Sequence, residues 1–305
     1  MADLEGVSTR KVKDITEALC GTSFSKSTVS RLVGGLDRDL AAWRERRLEV
    51  TYPYLIVDAR YEYVRTAGRV TSQGVLVVKG VREDGLRELL AVEVADTESE
   101  ATYEDLFRRL KDRGLHGVRL IVSDDHRGLV NAIGNHFQGV VWQRCQVHMA
   151  RNTLGKVTRA HRPALAADVN AVFNAPTLTW ARTLKSEVVE RWSGTHPKLA
   201  EWLETALEDG LACFAFPAAH RLRIRSTNDL ERFNQELKRR TRVVRIFPNP
   251  DACLRLVTAL CVEQSEEWLA GRVYLDMRKL EALDAETAIN DDEQATSKAA
   301  SGVSI

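Results

Sequence analysis

The 305 residues carry 44 Lys and Arg against 43 Asp and Glu, a formal net charge of +1, so any polyanionic partner must be met by local clusters rather than by the whole surface. A chain of this length buries a sizeable core and has room for one large and one small domain. Five scattered cysteines exclude a disulfide framework, and neither a signal-type apolar segment nor a run of membrane-spanning length occurs, so a soluble intracellular protein with reduced thiols is expected.

Val12, Ile15 and Leu19 recur at helical spacing, Gly21 supplies a stop, and Ser25 to Arg31 opens a second helix with capping residues. Two short helices about a tight turn make a helix-turn-helix candidate within residues 1–50, in which Lys26, Ser27, Thr28 and Arg31 would reach phosphates or base edges. An ordinary helical hairpin reads the same way. A third helix is expected from about Leu36 to Leu48, linking this module to the next.

From Tyr52 the pattern becomes strand-like. Tyr54 to Arg60, Gly74 to Lys79 and Leu86 to Val94 are apolar runs joined by short turns, which predicts an antiparallel meander. A helix over Thr102 to Arg113, a strand over Gly117 to Ser123, a helix over Arg127 to Ile133 and a strand over Gly139 to Cys145 follow. This order is that of an RNase H-like α/β core, a mixed sheet with helices on both faces, whose first part spans residues 51–152. Residues 153–222 have only helical periodicity, with Trp180, Trp192, Trp202 and Phe214 as large apolar groups, and read as an all-helical insertion. Residues 223–283 return to the core, with one or two amphipathic helices over Asp251 to Leu280, and 284–305 read as a disordered tail.

Three carboxylates stand out. Asp58 interrupts the first apolar strand, where a charge is costly without a partner; Asp124 follows the fourth strand, at the end where open α/β sheets place their sites. Glu231 lies on a helix whose Leu230, Phe233 and Leu237 fall on one side, with Asn228, Glu231, Gln235 and Lys238 on the other. Arg232, Lys238, Arg239, Arg240 and Arg242 surround it with more positive charge than one Glu needs, which suits phosphates. Asn228-x-x-Glu231 is also a capping-box pattern, in which Glu231 would only satisfy a backbone N–H. An Asp, Asp, Glu set of hard oxygen ligands suits Mg²⁺ or Mn²⁺, and two such ions about 3.5–4 Å apart support in-line phosphodiester displacement. Cys145-x-x-His148 lacks a second Cys-x-x-Cys or His-x₃-His pair, which argues against zinc even with His126 and His136 nearby.

Asp58, Ser123-Asp124 with His126, Trp142-Gln-Arg-Cys-Gln-Val-His148, and Thr227 to Arg240 with Ile246-Phe-Pro-Asn249 resemble the bacterial Mutator-type insertion-sequence transposases, from about Ser8 to about Leu280. The resemblance implies a metal-dependent DDE transposase with Asp58, Asp124 and Glu231 as catalytic and metal-binding triad. It also implies a homodimer or higher oligomer on DNA, acting on terminal inverted repeats and target DNA in the bacterial cytoplasm and nucleoid, without a membrane. Cys145 and His148 match that family's Cys-x-x-His pair, with His126 and Asn228 as further candidates for support of the site; a core Cys and a satisfied His is the alternative. The chain departs from the family pattern in Asp125, which adds a carboxylate beside Asp124, in Arg245, where Gly is frequent, and in beginning almost at the helix-turn-helix. That beginning leaves a non-catalytic, end-binding remnant acting as repressor or inhibitor as the rival reading, followed by a host RNase H-like nuclease.

Overall fold

The computed structural model describes residues 26–286. β1 (Tyr54–Thr66), β2 (Arg69–Val81) and β3 (Arg87–Ala95) form an antiparallel meander. β4 (Leu120–Ser123) and β5 (Val141–Arg144) are added in parallel, giving one sheet of order β3-β2-β1-β4-β5. Parallel neighbours need a crossover, here supplied by α2 (Glu100–Asp112) before β4 and α3 (Arg127–His136) before β5. The β1–β2 hairpin closes on Ala67 and Gly68, with φ of 48° and 80°. Two successive positive φ values match the twist of the flanking strands. Both strands run further toward this turn than the apolar runs predict, because Glu62, Arg65 and Arg69 hide the alternation.

Residues along β1 alternate between two cores. Leu55 and Val57 face α2 and α3, packing on Tyr103, Phe107, Leu129 and Ile133. Tyr54 and Ile56 face the opposite side, where the later helices gather. Those helices are α4 (Gln146–Gly155), α5 (Arg162–Phe173), α6 (Leu178–Ser193), α7 (Pro197–Asp209), a 3₁₀ turn (Ala212–Ala215) and α8 (Ala218–Ile224), then α9 (Asn228–Thr241) and α10 (Pro250–Leu269). Between β5 and α9 the structure is helical throughout; Trp192 is buried there, whereas Trp180 is exposed. Residues 278–286 are helical, and Arg119 pairs with Asp284 at 2.6 Å, so the first residues of the expected disordered tail are ordered; 287–305 lie outside the described residues.

The expected second and third N-terminal helices are one continuous helix, α1 (Lys26–Glu45). Gly34 and Gly35 lie where the two expected helices would separate, and each costs about 1 kcal/mol in a helix. Docking of the C-terminal half onto α10 offsets this. Leu40 is buried, and Arg255 forks onto Asp37 at 2.6 and 2.9 Å. The helix stops at Glu45, short of Leu48. The preceding helix of the helix-turn-helix reading lies outside the described residues, and of its contact residues Arg31 is exposed on α1.

Candidate active site

The β1–β4 register runs Tyr54↔Leu120 and Ile56↔Val122. Asp58, two residues past Ile56, lies on the face away from α2 and α3, and Asp124 follows the end of β4, where its charge acts on Asp58 and on Tyr103. Asp58 is nearly buried, at 9% exposure. Burial pushes its carboxyl up to about 7; the charges of Asp124 and Glu231 add to this, while His148 and a hydrogen bond from Asn234 oppose it. Asp124 is also raised, first by burial. Asp125 turns away from this group and pairs with Arg144 at 2.9 Å, which separates the two adjacent carboxylates by role.

Glu231 reaches the same place from α9. Leu230, Phe233 and Leu237 bury that helix's apolar side, each contributing about 1.5–3 kcal/mol, and this leaves Glu231 facing β1. The capping-box expectation is corrected here. Thr227 is the N-cap residue, Asn228 is an exposed first-turn residue, and the Glu231 carboxylate turns toward α4. His148 Nε2 stands 3.2 Å from Glu231 Oε1, at ion-pair distance without hydrogen-bond alignment, and Arg151 stands at 3.8 Å. Glu231 Oε1 is therefore a buried carboxylate oxygen with no hydrogen-bond donor. Asp58, Arg60, Tyr61, His148, Arg151, Glu231, Asn234, Gln235 and Lys238 line one open cleft of about 370 Å³. Asp124 adjoins Asp58 but does not line this cleft.

The stretch Trp142 to His148 is a clasp between three parts of the chain. Trp142 Nε1 donates to Ser123 Oγ at 2.9 Å, and Ser123 Oγ donates to the Asp124 carbonyl at 2.8 Å, which fixes the backbone carrying that carboxylate. Gln143 and Gln146 donate to the Gly210 carbonyl at 2.9 and 2.8 Å, tying β5 and α4 to the end of α7. Cys145 Sγ accepts from the Thr227 backbone N–H at 3.3 Å, and so holds the start of α9. Burial raises the Cys145 thiol, but hydrogen bonds from His148 and Thr227 overcome this and leave it below its ordinary value. The same Cys145 bond, against burial, pushes His148 up to about 9, with Asp58 and Glu231 assisting. Cys145 and His148 thus connect to the cleft through Thr227 and Glu231. His126 instead packs on Tyr103 at a ring separation of 6.0 Å, toward α2.

Arg60, Tyr61, Arg151 and Asn234 line the cleft and carry no individual mark in the sequence. Asn234 Nδ2 donates to Asp58 Oδ2 at 2.7 Å, and Arg60 donates to the Asn234 carbonyl at 2.7 Å. Arg151 faces Glu231 from α4. Asn234 stands one turn after Leu230 on α9, so the helical repeat could have placed it near Glu231; nothing local marked Arg60 or Arg151. Of the predicted phosphate-facing residues, Lys238 lines the cleft, Arg232 and Arg242 are exposed, and Arg239 and Arg240 pair with Glu236 at 2.6 and 2.9 Å.

Two residues before Glu231, Asp229 occupies a contrasting environment. Its Oδ2 accepts from the fully buried Lys79 at 2.7 Å and from Arg87 at 2.5 Å. Arg87 lies over the rings of Trp268 and Tyr274 at 4.4 and 4.3 Å. Burial alone would raise Asp229, but Lys79 and Arg87 hold it below the usual carboxylate range.

The donor set fits a divalent cation of Mg²⁺ type, which takes one or two carboxylates and completes its shell with waters and substrate oxygens. Asp58 is a carboxylate opposed by burial and like charge, and Glu231 Oε1 is without a donor. Among the described residues no three His, Cys, Asp or Glu side chains form a ready cage.

Asp58 and Glu231 thus share a cleft on a mixed sheet, with Arg60, Arg151 and Lys238 along it. The family is given by comparison. Residues 2–271 match the model of the Mutator family of transposases, and the chain belongs to that family. It is 49% identical over 276 residues to the transposase for insertion sequence element IS406 of Burkholderia multivorans, covering 90% of this chain and 71% of that protein. It is 47% identical to the transposase for insertion sequence element ISRM5 of Rhizobium meliloti (91% and 70% covered). To the transposase for insertion sequence element IS256 in transposon Tn4001 of Staphylococcus aureus it is 38% identical (90% and 72%). No described helix is long and apolar enough to cross a membrane.

Proposed function

We propose that this chain is a DNA transposase of DDE type, which binds the terminal inverted repeats of its insertion sequence, cleaves a phosphodiester at each end and joins the freed 3′-hydroxyl to target DNA. The observation that carries the reading is Glu231 Oε1, buried without a donor in the cleft that also holds Asp58. The strand order supports an RNase H-like core of residues 51–152 and 223–283, with the helices of 153–222 as insertion; a DNA-binding module over 1–50 with Lys26, Ser27, Thr28 and Arg31 rests on the sequence resemblance alone. The sequence similarity to insertion-sequence transposases supports the reaction class.

Asp58, Asp124 and Glu231 would hold Mg²⁺ or Mn²⁺, which when bound neutralises charge on the scissile phosphate and makes water or a 3′-hydroxyl a competent nucleophile. The remaining roles belong to the chain itself. Asn234 holds Asp58 Oδ2 and leaves Oδ1 for the ion; Thr227, Cys145 and His148 set the start of α9 and the Glu231 carboxylate. Arg151 and Lys238 sit at the cleft to meet phosphate oxygens, and Arg232 and Arg242 extend that positive surface, giving binding that weakens with salt. Cutting two ends and joining them calls for at least two copies on DNA.

A non-catalytic, end-binding protein is the second reading, favoured by the position of Asp124 outside the cleft lining. Cleavage and joining of a labelled terminal-repeat duplex in Mg²⁺ or Mn²⁺ separates the two. The transposase reading expects joined product from the intact chain and at least a thousandfold loss in Asp58→Asn, Asp124→Asn and Glu231→Gln. Binding without cleavage by the intact chain would establish the second reading; cleavage without joining would indicate a nuclease.

A further inference from the structure

The β1–β2 hairpin has a bare face that the proposed chemistry leaves unused. β4 pairs with β1 only over Tyr54 to Ile56, and β3 pairs with β2 no further than Gly74, so from Tyr61 to the turn the sheet narrows to a two-stranded ribbon. Its inner face is packed. Val64 is fully buried, Phe247 bridges to it, and Glu62 accepts from Thr241 at 2.9 Å. The outer face continues the side that α2 and α3 seal over Leu55 and Val57, yet there Tyr61 is 56% exposed, Tyr63 60% and Val70 44%. The cross-strand partners of the two tyrosines are Gly74 and Ser72, so no bulky neighbour covers the rings.

The surrounding charge indicates what this face meets. Arg65 stands next on the same face, Arg69 lies at the turn, and the segment joined to the ribbon at Phe247 carries Arg242 and Arg245; all four are exposed. Glu62 lies on the inner face, and Glu98 hydrogen-bonds the Tyr61 hydroxyl. Asp58 lies on the opposite face of β1, but Tyr61 also lines the candidate active site and so links the bare face to the cleft. Exposed aromatic rings interleaved with arginines fit a polyanion with flat apolar faces, which is a single strand of nucleic acid. A protein partner would not call for this excess of cations, and the tyrosines cannot stack on bases that remain paired in a duplex.

We propose that the outer face of the β1–β2 ribbon is a stacking platform for unpaired bases of the DNA strand leaving the cleft, with Tyr63 the outer ring, Tyr61 the inner one, and Arg65 on its phosphates. This rests on the transposase reading and adds a specific binding surface to it. Opening a few bases beside the cut is unfavourable, and stacking on aromatic side chains is a means of offsetting it.

The test is photocrosslinking of the full chain to terminal-repeat duplexes carrying 5-iododeoxyuridine at successive positions flanking the cleavage site, with the crosslinked residue mapped by mass spectrometry. The expected result is a crosslink to Tyr63 or Tyr61 at one or two adjacent flanking positions, reduced about tenfold or more in Tyr63→Leu and retained in Tyr63→Phe, which keeps the ring. Crosslinks confined to other segments while the intact chain binds and cleaves would overturn the platform and leave the transposase reading standing. A change of oligomeric state in Tyr63→Leu with unchanged crosslinks would overturn it in favour of a contact between copies of this chain. Failure of the intact chain to bind the repeat at all would defeat both.

Discussion

Asp229 and Glu231 lie in one helical turn and have opposite surroundings. Asp229 is saturated: Lys79 and Arg87 both donate to it beneath two aromatic rings. Glu231 has His148 at 3.2 Å and Arg151 at 3.8 Å, but neither donates a hydrogen bond to its buried Oε1. A carboxylate that its cations hydrogen-bond is a structural anchor, whereas one whose cations stand at ion-pair distance without hydrogen bonds keeps lone pairs open, as the proposed cation site requires. The anchor fixes the helix that carries the site, so the two regions are one device read at its two ends.

The largest effect should come from breaking the anchor. Asp229→Asn leaves Lys79 buried without its counter-charge and should cost about 3–5 kcal/mol in urea unfolding. Restoring an apolar pair with Lys79→Met and Asp229→Leu should recover most of that loss; a cost below about 1 kcal/mol for Asp229→Asn would mean that the cluster does not anchor α9. The Glu231 end should behave differently. Asn234→Ala removes the hydrogen bond to Asp58 Oδ2, a bond to a charged group worth about 1.5–3 kcal/mol, so strand cleavage should fall by about ten- to a hundredfold while the unfolding midpoint moves little. Equal damage to stability would make Asn234 another anchor.

A smaller change tests the far end of α9. Arg245 holds a φ of 62° just after the helix, a conformation that costs a residue with a Cβ about 1 kcal/mol and glycine almost nothing. Arg245→Gly should therefore stabilise the fold by about that amount, and an unchanged midpoint would show that the turn relaxes freely. It would also remove a cation beside the ribbon, so DNA binding should weaken slightly as stability rises.

Glu93 supplies an intermediate case, a carboxylate given one partly exposed cation, Arg109, at 2.5 Å. Burial pushes it from 4.5 up to about 7 despite Arg109. The folded state then binds more protons than the unfolded state between those values, so Glu93 makes stability fall as pH rises from about 4.5 to 7. Glu93→Gln should flatten that slope, measured as the unfolding midpoint against pH. An unaltered slope would mean that Arg109 compensates its burial.

Much of this scaffold is legible in the chain itself. Runs such as Tyr54 to Val57 and Val75 to Val78 announce strands, and Leu230, Phe233 and Leu237 announce which side of α9 is buried, because burial follows a local repeat. The roles of polar groups depend on what stands opposite, which no local repeat encodes. Asn228-x-x-Glu231 reads as a cap until His148 and Arg151, distant in sequence, are found facing the Glu. Nothing local marks Asp229, because its partners Lys79 and Arg87 come from β2 and β3. The continuity of α1 was hidden for the same reason: two glycines are visible locally, and the docking of Asp37 on Arg255 is not.

The proposed cation site joins Asp58 and Glu231, which share the cleft, with the adjoining Asp124. Affinity cleavage tests it most directly: Fe²⁺ replaces Mg²⁺ on the DNA-bound protein, ascorbate and peroxide are added, and the sites of polypeptide scission are mapped. The account predicts cuts close to residues 58, 124 and 231 together, competed by excess Mg²⁺ and lost in Glu231→Gln. Cuts elsewhere, or cuts near residue 231 that persist in that variant, would contradict it.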